Sequence, residues 1–399
     1  MTGVPFPRTD RRPAVAHVME AYLGLTETFI YDYLVSFRRV RPVVVARRLE
    51  NLAAFPLPPE QGPHLSPPRR GTASWAAAAM ARRIRGGEPH LERLLATEEV
   101  RVIHAHFGPT ACGLLETRRR TGLPLVASFY GYDASTASVV AEFGGRYRAL
   151  FDLGDAFLVE GPAMKARLEA LGCPSSKLRI QRIAIDAARY RFRAREDPGG
   201  GPVTVLQCGR LVAKKGCDTL LSAFALARRH DPRLKLRLVG DGPERPALES
   251  LIRDLGLGDS VTLLGALSRS SLLDEMDRAH IYAQASRTAA DGDTEGGAPT
   301  ALLEAQACGL PIVATRHADI PHVVSEGDSA LLSDEGDSGS LAASLALLAA
   351  EPARWGPMGR AGRAHVETRH DVGALSTALE VLYATVAETG RLSMAPVGR

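Results

Sequence analysis

The stretch from Asp291 to Thr315 combines the residue types that a nucleotide site needs. Acidic residues lead into a Gly-Gly-Ala-Pro turn, a helical pattern that stops at Gly309, and a short apolar strand. Such a turn at the mouth of a helix leaves backbone N–H groups unpaired, and these groups bind phosphate. Glu304 lies about one helical turn after Thr300, so its carboxylate can accept the hydroxyl protons of a ribose. The residues predicted to contact a nucleotide here are Gly296, Gly297, Ala298, Pro299, Thr300 and Glu304.

A second phosphate-binding pattern follows the apolar run TVLQC. Gly209 and Arg210 form a turn, and Lys215 comes just before a helical pattern, which places a forked guanidinium and a point-like ammonium beside free amides. Each charge-assisted bond to a phosphate contributes roughly 1.5–3 kcal/mol. Because cations at a helix start oppose its dipole when no anion is bound, the pattern favours a bound diphosphate. Gly240 and Gly242, by themselves, indicate only a tight turn.

The acidic residues of the first stretch resemble the glutamate, seven residues, glutamate signature of retaining glycosyltransferases of the two-domain GT-B type, in particular family GT4. Glu304 takes the second position. The acid nearest the first position is Glu295, one residue further upstream, and we interpret the second glycine of Gly296-Gly297 as an insertion that the loop absorbs. The resemblance implies that Glu295 holds the hydroxyl groups of a donor sugar.

The resemblance also assigns roles to the second pattern and to the turns that follow it. Arg210 and Lys215 would neutralise the diphosphate that leaves the sugar, in place of a metal ion. The turn of Gly240 and Gly242 would lie beside the nucleotide, and Leu264 would flank the base. These roles are expectations that come from the family.

The elements that must position these residues follow a regular alternation. From Pro13 onward, apolar strand patterns alternate with helical patterns, which is typical of a parallel sheet covered on both faces. The charged, glycine-rich segment RFRAREDPGGGP interrupts the alternation, which then restarts. We therefore predict an α/β protein with two Rossmann-like domains facing a cleft, GT-B by resemblance, and a C-terminal helix that crosses back to the N-terminal domain. The predicted boundaries are 1–195 for an acceptor-binding domain, 196–202 for a linker, 203–375 for a donor-binding domain, and 376–399 for the returning helix and tail.

Ligands of such sheets bind beyond the carboxyl ends of the strands, which singles out two places in the first half. In GLTET, Thr26 can cap the following helix, while the family brings this loop, with Gly24, close to the acceptor. His104 and His106 share one side of a strand. They are either packed, hydrogen-bonded histidines or, for His106, an acceptor contact.

A third place is the segment SFYGYD, which follows another strand pattern. Many GT4 enzymes carry a histidine before this glycine, near the reacting sugar, whereas this chain has Tyr130. A tyrosine can donate a hydrogen bond to a sugar hydroxyl, but its pKa near 10 makes it a poor base. Tyr130 and Asp133 are therefore predicted to position the substrate, with a purely structural turn as the alternative.

Composition limits the partners of the protein. The 49 basic and 45 acidic residues of the 399-residue chain leave a net charge of +4, which lacks the concentrated positive field of a nucleic-acid binder. The 5 cysteines have an odd count and no metal-ligand spacing, so reduced thiols are expected. No signal-peptide pattern opens the sequence, and no run approaches the roughly 18 apolar residues of a membrane span. The expected location is the cytoplasm.

Five arginines gather in one segment of the first half: Arg69, Arg70, Arg82, Arg83 and Arg85. The simpler interpretation is a solvated helix face. The functional alternative is peripheral contact with anionic lipid at the inner face of a membrane, or with a lipid-phosphate acceptor.

Taken together, these residues predict a glycosyltransferase of the hexosyltransferase type. Its co-substrate would be a nucleoside diphosphate sugar, with a uridine diphosphate sugar as the expected donor, and its acceptor a hydroxyl group on a carbohydrate, a lipid-linked saccharide or a small molecule. Polysaccharide or glycoconjugate biosynthesis and retention of the anomeric configuration are implied by the resemblance. Asp291 and Asp293 lie in the glycine-rich loop rather than at a strand end, so neither a metal ion nor a further cofactor is expected.

Two alternatives share most of these features. A GT-B nucleotide-sugar epimerase or phosphorylase would use the same phosphate contacts but would release an altered sugar or a sugar phosphate. A catalytically inert sugar-nucleotide-binding protein would account for Tyr130 in place of histidine and for the displaced Glu295.

Overall fold

Two parallel β-sheets organise the chain, one in each half. The computed structural model describes residues 10–68, 71–85 and 87–389. The strands of the first sheet are β1 (Ala14–Ala21), β2 (Arg41–Arg48), β3 (His64–Leu65), β4 (Val100–His106), β5 (Leu125–Phe129), β6 (Ala156–Val159) and β7 (Leu178–Ile180). They lie in the order β3-β2-β1-β4-β5-β6-β7, with parallel pairing throughout. The α-helices of this half are α1 (Thr28–Ser36), α2 (Ala73–Arg85), α3 (Pro89–Thr97), α4 (Gly108–Gly113), α5 (Leu115–Thr121), α6 (Tyr132–Ser135), α7 (Ala137–Leu153) and α8 (Pro162–Ala170).

The second half repeats this plan. Its strands are β8 (Val203–Cys208), β9 (Leu234–Val239), β10 (Val261–Gly265), β11 (Ile281–Gln284), β12 (Ile312–Thr315) and β13 (Ala330–Ser333), in the parallel order β10-β9-β8-β11-β12-β13. Its α-helices are α9 (Cys217–Arg228), α10 (Arg245–Asp254), α11 (Arg269–Arg278), α12 (Thr300–Ala307), α13 (Ile320–Val323), α14 (Ser338–Ala350), α15 (Trp355–Arg369) and α16 (Val372–Thr389).

Continuous apolar runs identify the central strands because helices cover both faces of each sheet. In β2, Val43, Val44 and Val45 are each at most 1% exposed, although successive side chains point to opposite faces. A strand buried on both sides needs apolar residues at every position, which is the pattern of parallel sheets. The predicted alternation of strands and helices is confirmed in both halves.

The chain reaches the second half before the predicted linker at 196–202. The backbone N–H of Arg193 donates to the carbonyl of Cys308. The guanidinium of Arg195 is buried and donates to the carbonyls of Asp277 and Cys308, at 2.5 and 2.8 Å. The segment just before the linker is therefore held by the second half, although the prediction assigned it to the first.

Helix α16 returns to the first half, as predicted. One carboxylate oxygen of Glu380 accepts hydrogen bonds from the backbone N–H groups of Arg38, Arg39 and Val40, at 2.7, 2.5 and 3.1 Å. The hydroxyl of Tyr383 lies 2.6 Å from Nδ1 of His104 on β4. The helix begins at Val372, so the predicted boundary at 376 falls inside it.

The structure can be compared with three expectations from composition, which concern the cysteines, the arginine cluster and membrane-spanning helices. The cysteines are free thiols, as expected. Of the arginine cluster, Arg69, Arg70 and the side chains of Arg82 and Arg85 lie outside the described residues, whereas Arg83 is exposed on α2. Among the helices that the structure describes, none is both long and apolar enough to cross a membrane.

Candidate active site

A cleft of about 430 Å³ lies between the two halves and collects most of the predicted site residues. The predicted residues that line it are Thr26, Tyr130, Gly209, Arg210, Lys215, Glu295, Ala298, Pro299, Thr300 and Glu304. The lining residues that were not predicted as site residues are Leu25, Glu27, Thr28, Phe29, Phe107, Tyr132, Glu160, Ile183, Cys208, Lys214, Arg269, Leu272 and Ala301. Residues distant in sequence therefore meet at one place, and the volume is in the range of small-molecule sites.

The cations of the cleft come from the second half. The side chain of Arg210 is exposed and has no hydrogen bond or ion pair within the described ranges, so it is available to an anion. Nζ of Lys215 lies 2.8 Å from Oε2 of Glu295. Lys214 is buried and its ammonium contacts Asp293 at 3.2 Å, which fixes the acidic loop onto this turn. Arg210, Lys214 and Lys215 thus come from one short turn, and a distant acidic loop pairs with the two lysines.

Glu295 is held as a carboxylate at the wall of the cleft. Its Oε1 accepts a hydrogen bond from Ser286 at 2.6 Å, and its backbone N–H donates to Nε2 of His317 at 3.1 Å. Burial alone would raise the pKa of Glu295, but the ammonium of Lys215 and the Ser286 hydrogen bond hold it below its ordinary value. The one-residue displacement from the family signature leaves this side chain in the cleft beside Lys215.

Glu304 is fixed by two residues that the sequence did not indicate. Its Oε1 accepts hydrogen bonds from the hydroxyl of Tyr190 at 3.0 Å and from Arg269 at 2.5 Å. Arg269 also contacts the Tyr190 hydroxyl and lies 5.0 Å above its ring. No local pattern connects the three, since Tyr190 and Glu304 are 114 positions apart.

The start of α12 supplies backbone donors. Ala298, Pro299 and Thr300 line the cleft, and Pro299 at the N-cap offers no side-chain acceptor to the first amides of the helix. The two preceding glycines lie behind this wall. A Cβ on Gly296 would lie 2.2 Å from Cα of Gly131, and one on Gly297 would lie 1.7 Å from Oε2 of Glu160. Their predicted role is therefore corrected: they permit contact between the halves and do not line the cleft.

Gly240, Gly242 and Leu264 were also predicted to lie at the nucleotide, and none of them lines the cleft. Gly240 has φ of +133°, and a Cβ there would lie 1.9 Å from the carbonyl oxygen of Gly209; a Cβ on Gly242 would lie 2.3 Å from that of Leu211. Both glycines thus let the loop after β9 pack closely against residues 209 to 211, and neither lines the cleft. Leu264, predicted to flank the base, packs half-buried against the core and does not line the cleft, whereas Arg269 and Leu272 do.

Tyr130 lines the cleft, but its hydroxyl is hydrogen-bonded to a residue outside the cleft lining. It lies 2.8 Å from Nδ1 of His106, whose Nε2 lies 3.1 Å from Nδ1 of His17. Burial lowers the pKa of His106 to about 3 and that of His17 well below its ordinary value, so both rings are neutral. His106 is 3% exposed and does not line the cleft, which contradicts an acceptor contact and favours the packed, hydrogen-bonded alternative.

The same histidines, with His104, place three ring nitrogens within 4.8 Å of one another. Nδ1 of His17 and Nε2 of His106 lie 3.1 Å apart, which is hydrogen-bond distance. The nitrogens of His104 are engaged by Ser128 and Tyr383, at 2.7 and 2.6 Å. The cluster therefore supports Tyr130 and anchors α16.

Asp133 is a positioning residue, which corrects its predicted contact with substrate. Its fully buried carboxylate accepts hydrogen bonds from the backbone N–H groups of Gly108, Tyr130 and Gly131, at 3.0, 3.1 and 3.0 Å. It thereby joins the loop after β4 to the loop after β5. Asp133 shapes the wall of the cleft without being part of it.

The loop after β1 also differs from its prediction. Helix α1 begins at Thr28 with Glu27 at the N-cap position, and Thr26 makes no capping bond but lines the cleft. The carboxylate of Glu27 turns back and accepts a hydrogen bond from the N–H of Gly24 at 2.8 Å. Gly24 itself is not among the residues that line the cleft, whereas its neighbours Leu25 and Thr26 are.

Asp319 and Glu160 connect the two halves beside the cleft. The carboxylate of Asp319, from the second half, accepts hydrogen bonds from the N–H groups of Ala163 and Met164 at the start of α8, at 2.8 and 3.3 Å. Burial, and then the charge of Asp319, raise the pKa of Glu160 well above its ordinary value. The halves therefore meet through a capped helix and a buried carboxyl group whose pKa is raised.

Comparison with known families agrees with this geometry. Residues 189–365 match the family described as glycosyl transferases group 1, and residues 30–189 match glycosyltransferase family 4. A GDP-mannose-dependent phosphatidylinositol monomannoside mannosyltransferase of Mycolicibacterium smegmatis is 30% identical over 266 residues, 65% of this chain and 68% of that protein. The chain belongs to the group 1, family 4 glycosyltransferases.

Other relatives are named for exopolysaccharide synthesis. WcaL of Salmonella typhimurium, named for colanic acid biosynthesis, is 34% identical over 248 residues, and AmsK of Erwinia amylovora, an amylovoran biosynthesis glycosyltransferase, is 33% identical over 243. The matched segments cover 61% of this chain in both cases, but only 60% and 59% of those proteins.

Solved structures share the fold across nearly the whole chain. Anabaena Alr3699/HepE in complex with UDP superposes with a TM-score of 0.74 at 17% identity, covering 94% of this chain and 100% of that chain. Sucrose-phosphate synthase of Thermosynechococcus elongatus gives 0.71 at 19% identity, covering 94% and 99%. The predicted GT-B architecture is confirmed.

Proposed function

We propose that this protein is a retaining glycosyltransferase that moves a sugar from a nucleoside diphosphate sugar, in the first instance a uridine diphosphate sugar, to a hydroxyl group of an acceptor. The observation that carries the proposal is the meeting of Arg210, Lys215, Glu295 and Glu304 with the start of α12 at one cleft. This set provides separate partners for a diphosphate, a ribose and a sugar.

The diphosphate of the donor binds between Arg210, Lys215 and the first amides of α12, and Glu304 accepts the ribose hydroxyls. When the bond between the anomeric carbon and the phosphate oxygen breaks, negative charge builds on the diphosphate. Arg210 and Lys215 stabilise this charge. The acceptor oxygen bonds to the anomeric carbon on the face that the leaving group vacates, and its proton passes to the departing phosphate oxygen. Glu295 holds the sugar hydroxyls and stays ionised beside Lys215.

The names of similar proteins support this choice of reaction. HepE is described in complexes with UDP and with UDP-glucose, which favours the uridine donor, while the Mycolicibacterium smegmatis protein is named for GDP-mannose. WcaL and AmsK are named for exopolysaccharides, which supports polysaccharide or glycoconjugate assembly. Because the chain spans only about 60% of WcaL and AmsK, the donor, the acceptor and the pathway are all parts of the proposal.

A panel of uridine, guanosine and thymidine diphosphate sugars tests the donor. We expect one donor to raise the melting temperature of the purified protein and to undergo slow hydrolysis to the nucleoside diphosphate, without added metal. Donor binding without hydrolysis or transfer would support the inert binding protein instead. Recovery of an isomerised sugar or a free sugar phosphate would support the epimerase or the phosphorylase.

We also propose that the reaction takes place at the surface of a membrane. Helix α2 presents exposed Met80 and Arg83, so its surface combines apolar and cationic groups. Such a surface suits peripheral contact with anionic lipid on the cytoplasmic side of a membrane. Sedimentation with vesicles containing phosphatidylglycerol, compared with vesicles of phosphatidylcholine alone, measures this contact.

A further inference from the structure

An aromatic wall forms the first-half side of the cleft. Phe107, Tyr130, Tyr132 and Phe29 all line it. The ring centroid of Phe107 lies 5.0 Å from that of Tyr130 and 5.2 Å from that of Tyr132, and Phe29 lies 5.1 Å from Tyr130. Tyr132 is 42% exposed, so part of its surface is available to a ligand. Flat aromatic surfaces of this kind pack against the C–H groups on one face of a sugar ring.

The backbone of Phe107 is held in an unfavourable conformation. Its φ is +72° and its ψ is 141°, which a bulky residue rarely adopts. The N–H of Phe107 donates to the carbonyl of Ser128 at 2.9 Å, and the N–H of the next residue, Gly108, donates to Asp133 at 3.0 Å. The surrounding hydrogen bonds therefore enforce the conformation that places this ring in the cleft. Enforced strain of this kind is concentrated at binding sites.

A carboxylate oxygen accompanies the aromatic wall. Glu27 lines the cleft, and its Oε2 is bound by the N–H of Gly24 at 2.8 Å. Its Oε1 has no hydrogen-bond partner within the part of the chain that the structure describes. This oxygen can accept a hydrogen bond from a ligand hydroxyl without breaking a contact of the protein.

The charge of this wall differs from that of the opposite side. Among the described residues that line the cleft, the first half contributes the carboxyl groups of Glu27 and Glu160 and no lysine or arginine. The cleft cations Arg210, Lys214 and Arg269, like Lys215, come from the second half. A phosphate group on the acceptor would thus meet carboxyl and aromatic groups without a cation, and an uncharged, hydroxyl-rich molecule fits better.

We propose that the acceptor of this enzyme is an uncharged sugar whose ring stacks on Tyr132 and Phe107, with one hydroxyl hydrogen-bonded to Oε1 of Glu27. This inference rests on the proposed glycosyl transfer and names the acceptor class for it. The hydrogen bond orients the acceptor hydroxyl, while the aromatic contact fixes the plane of the ring.

The test measures acceptor and donor separately. Protein saturated with UDP is titrated with a panel of neutral methyl glycosides and neutral oligosaccharides, and with glycerol phosphate and inositol phosphate, by saturation-transfer NMR. We expect binding by neutral members of the panel. Tyr132→Ala and Glu27→Gln should each weaken that binding by about tenfold while leaving UDP affinity unchanged. The matched controls are Phe192→Ala, an exposed aromatic outside the cleft, and Glu142→Gln, an exposed acid outside it.

Preference for the phosphate-bearing compounds, absence of binding by every neutral sugar, or an acceptor affinity that both cleft variants share with the wild type would overturn the inference. Tyr132 is exposed, so its variant keeps the test valid even if Glu27→Gln does not fold. Failure of the wild-type protein to bind UDP would instead contradict the proposed function, and the acceptor class would fall with it. The experiment therefore distinguishes failure of the acceptor inference from failure of the proposed function.

Discussion

Glu304 is a buried carboxylate whose position depends on Tyr190 and Arg269. If it accepts the ribose hydroxyls, Glu304→Ala should weaken UDP binding by roughly 10- to 100-fold, since a hydrogen bond to a charged group contributes about 1.5–3 kcal/mol. Isothermal titration calorimetry with UDP measures the change.

Glu275 offers a matched control for this variant. It is also a buried carboxylate paired with an arginine, Arg237, but it does not line the cleft. Glu275→Ala should lower stability and leave UDP affinity unchanged. Equal UDP affinity in Glu304→Ala and the wild type would remove Glu304 from the nucleotide site.

Arg210 should act mainly after the donor has bound. Its side chain has no partner among the described residues, so Arg210→Ala leaves the fold intact. Because charge on the diphosphate grows as the sugar leaves, we expect kcat to fall on the order of 100-fold, with a change in donor affinity below about tenfold. Steady-state kinetics together with calorimetry of the intact donor separates the two effects, and a loss confined to donor affinity would contradict the assignment.

The sequence indicated those site residues whose chemistry is local. The turn with Arg210 and Lys215, and the spacing from Thr300 to Glu304, are short-range patterns. The partner of Glu304 could not be predicted in this way, because Arg269 lies 35 positions before it on a different helix. Glu27 was not predicted as a lining residue, because the polar residues of that loop were expected to serve the start of the helix, with Thr26 as its N-cap.

At the scale of elements, Asp133 joins the loops that follow β4 and β5. Asp133→Ala would leave three backbone N–H groups, two of them buried, without their acceptor, so we expect the free energy of unfolding to fall by on the order of 3 kcal/mol. Turnover should fall as well, since Phe107 and Tyr130 lie on these loops. Urea unfolding and donor turnover measure the two consequences.

Asp155 is the comparison for this variant. Its buried carboxylate accepts a hydrogen bond from the N–H of Leu125 and pairs with Arg118, away from the cleft. Asp155→Ala should lower stability but leave the turnover of the folded fraction unchanged. A similar loss of turnover in both variants would show that Asp133 has no special relation to the cleft.

Element order could be predicted because apolar runs and helical spacing are properties of contiguous residues. The ends of elements were less predictable, since competing side chains decide them. Helix α1 begins at Thr28 because Glu27 turns back to Gly24, whereas the sequence alone favoured Thr26 as the cap. Leu264 illustrates a different limit: its assignment came from family analogy, and it is not among the residues that line the cleft.

At the scale of the whole molecule, Asp319 of one half caps α8 of the other. Asp319→Ala removes this cap, which costs about 1 kcal/mol, and it should shift the molecule toward a more open arrangement. Small-angle X-ray scattering should show a larger radius of gyration. Asp337→Ala removes a cap of α14 within the second half and should leave the radius unchanged.

Closure should also depend on pH through Glu160. Its raised pKa in the closed form means that closure binds a proton that the open form releases more easily. The contribution to closure is complete below the ordinary pKa of 4.5 and is lost as the pH rises through the raised value, because the ionised group faces Asp319, Asp133 and Glu295. The radius of gyration should therefore increase as the pH rises well above the ordinary pKa of 4.5. A radius independent of pH in the wild type, or the same dependence in Glu160→Gln, would contradict this role.

The return of α16 to the first half has a consequence for biosynthesis. Glu380 and Tyr383 supply contacts to residues near β1, β2 and β4, elements that leave the ribosome long before α16 does. The surface of the nascent first half that α16 covers therefore stays exposed to solvent until residue 389 has been translated. During this interval, a chaperone that shields apolar surface has a defined place to bind.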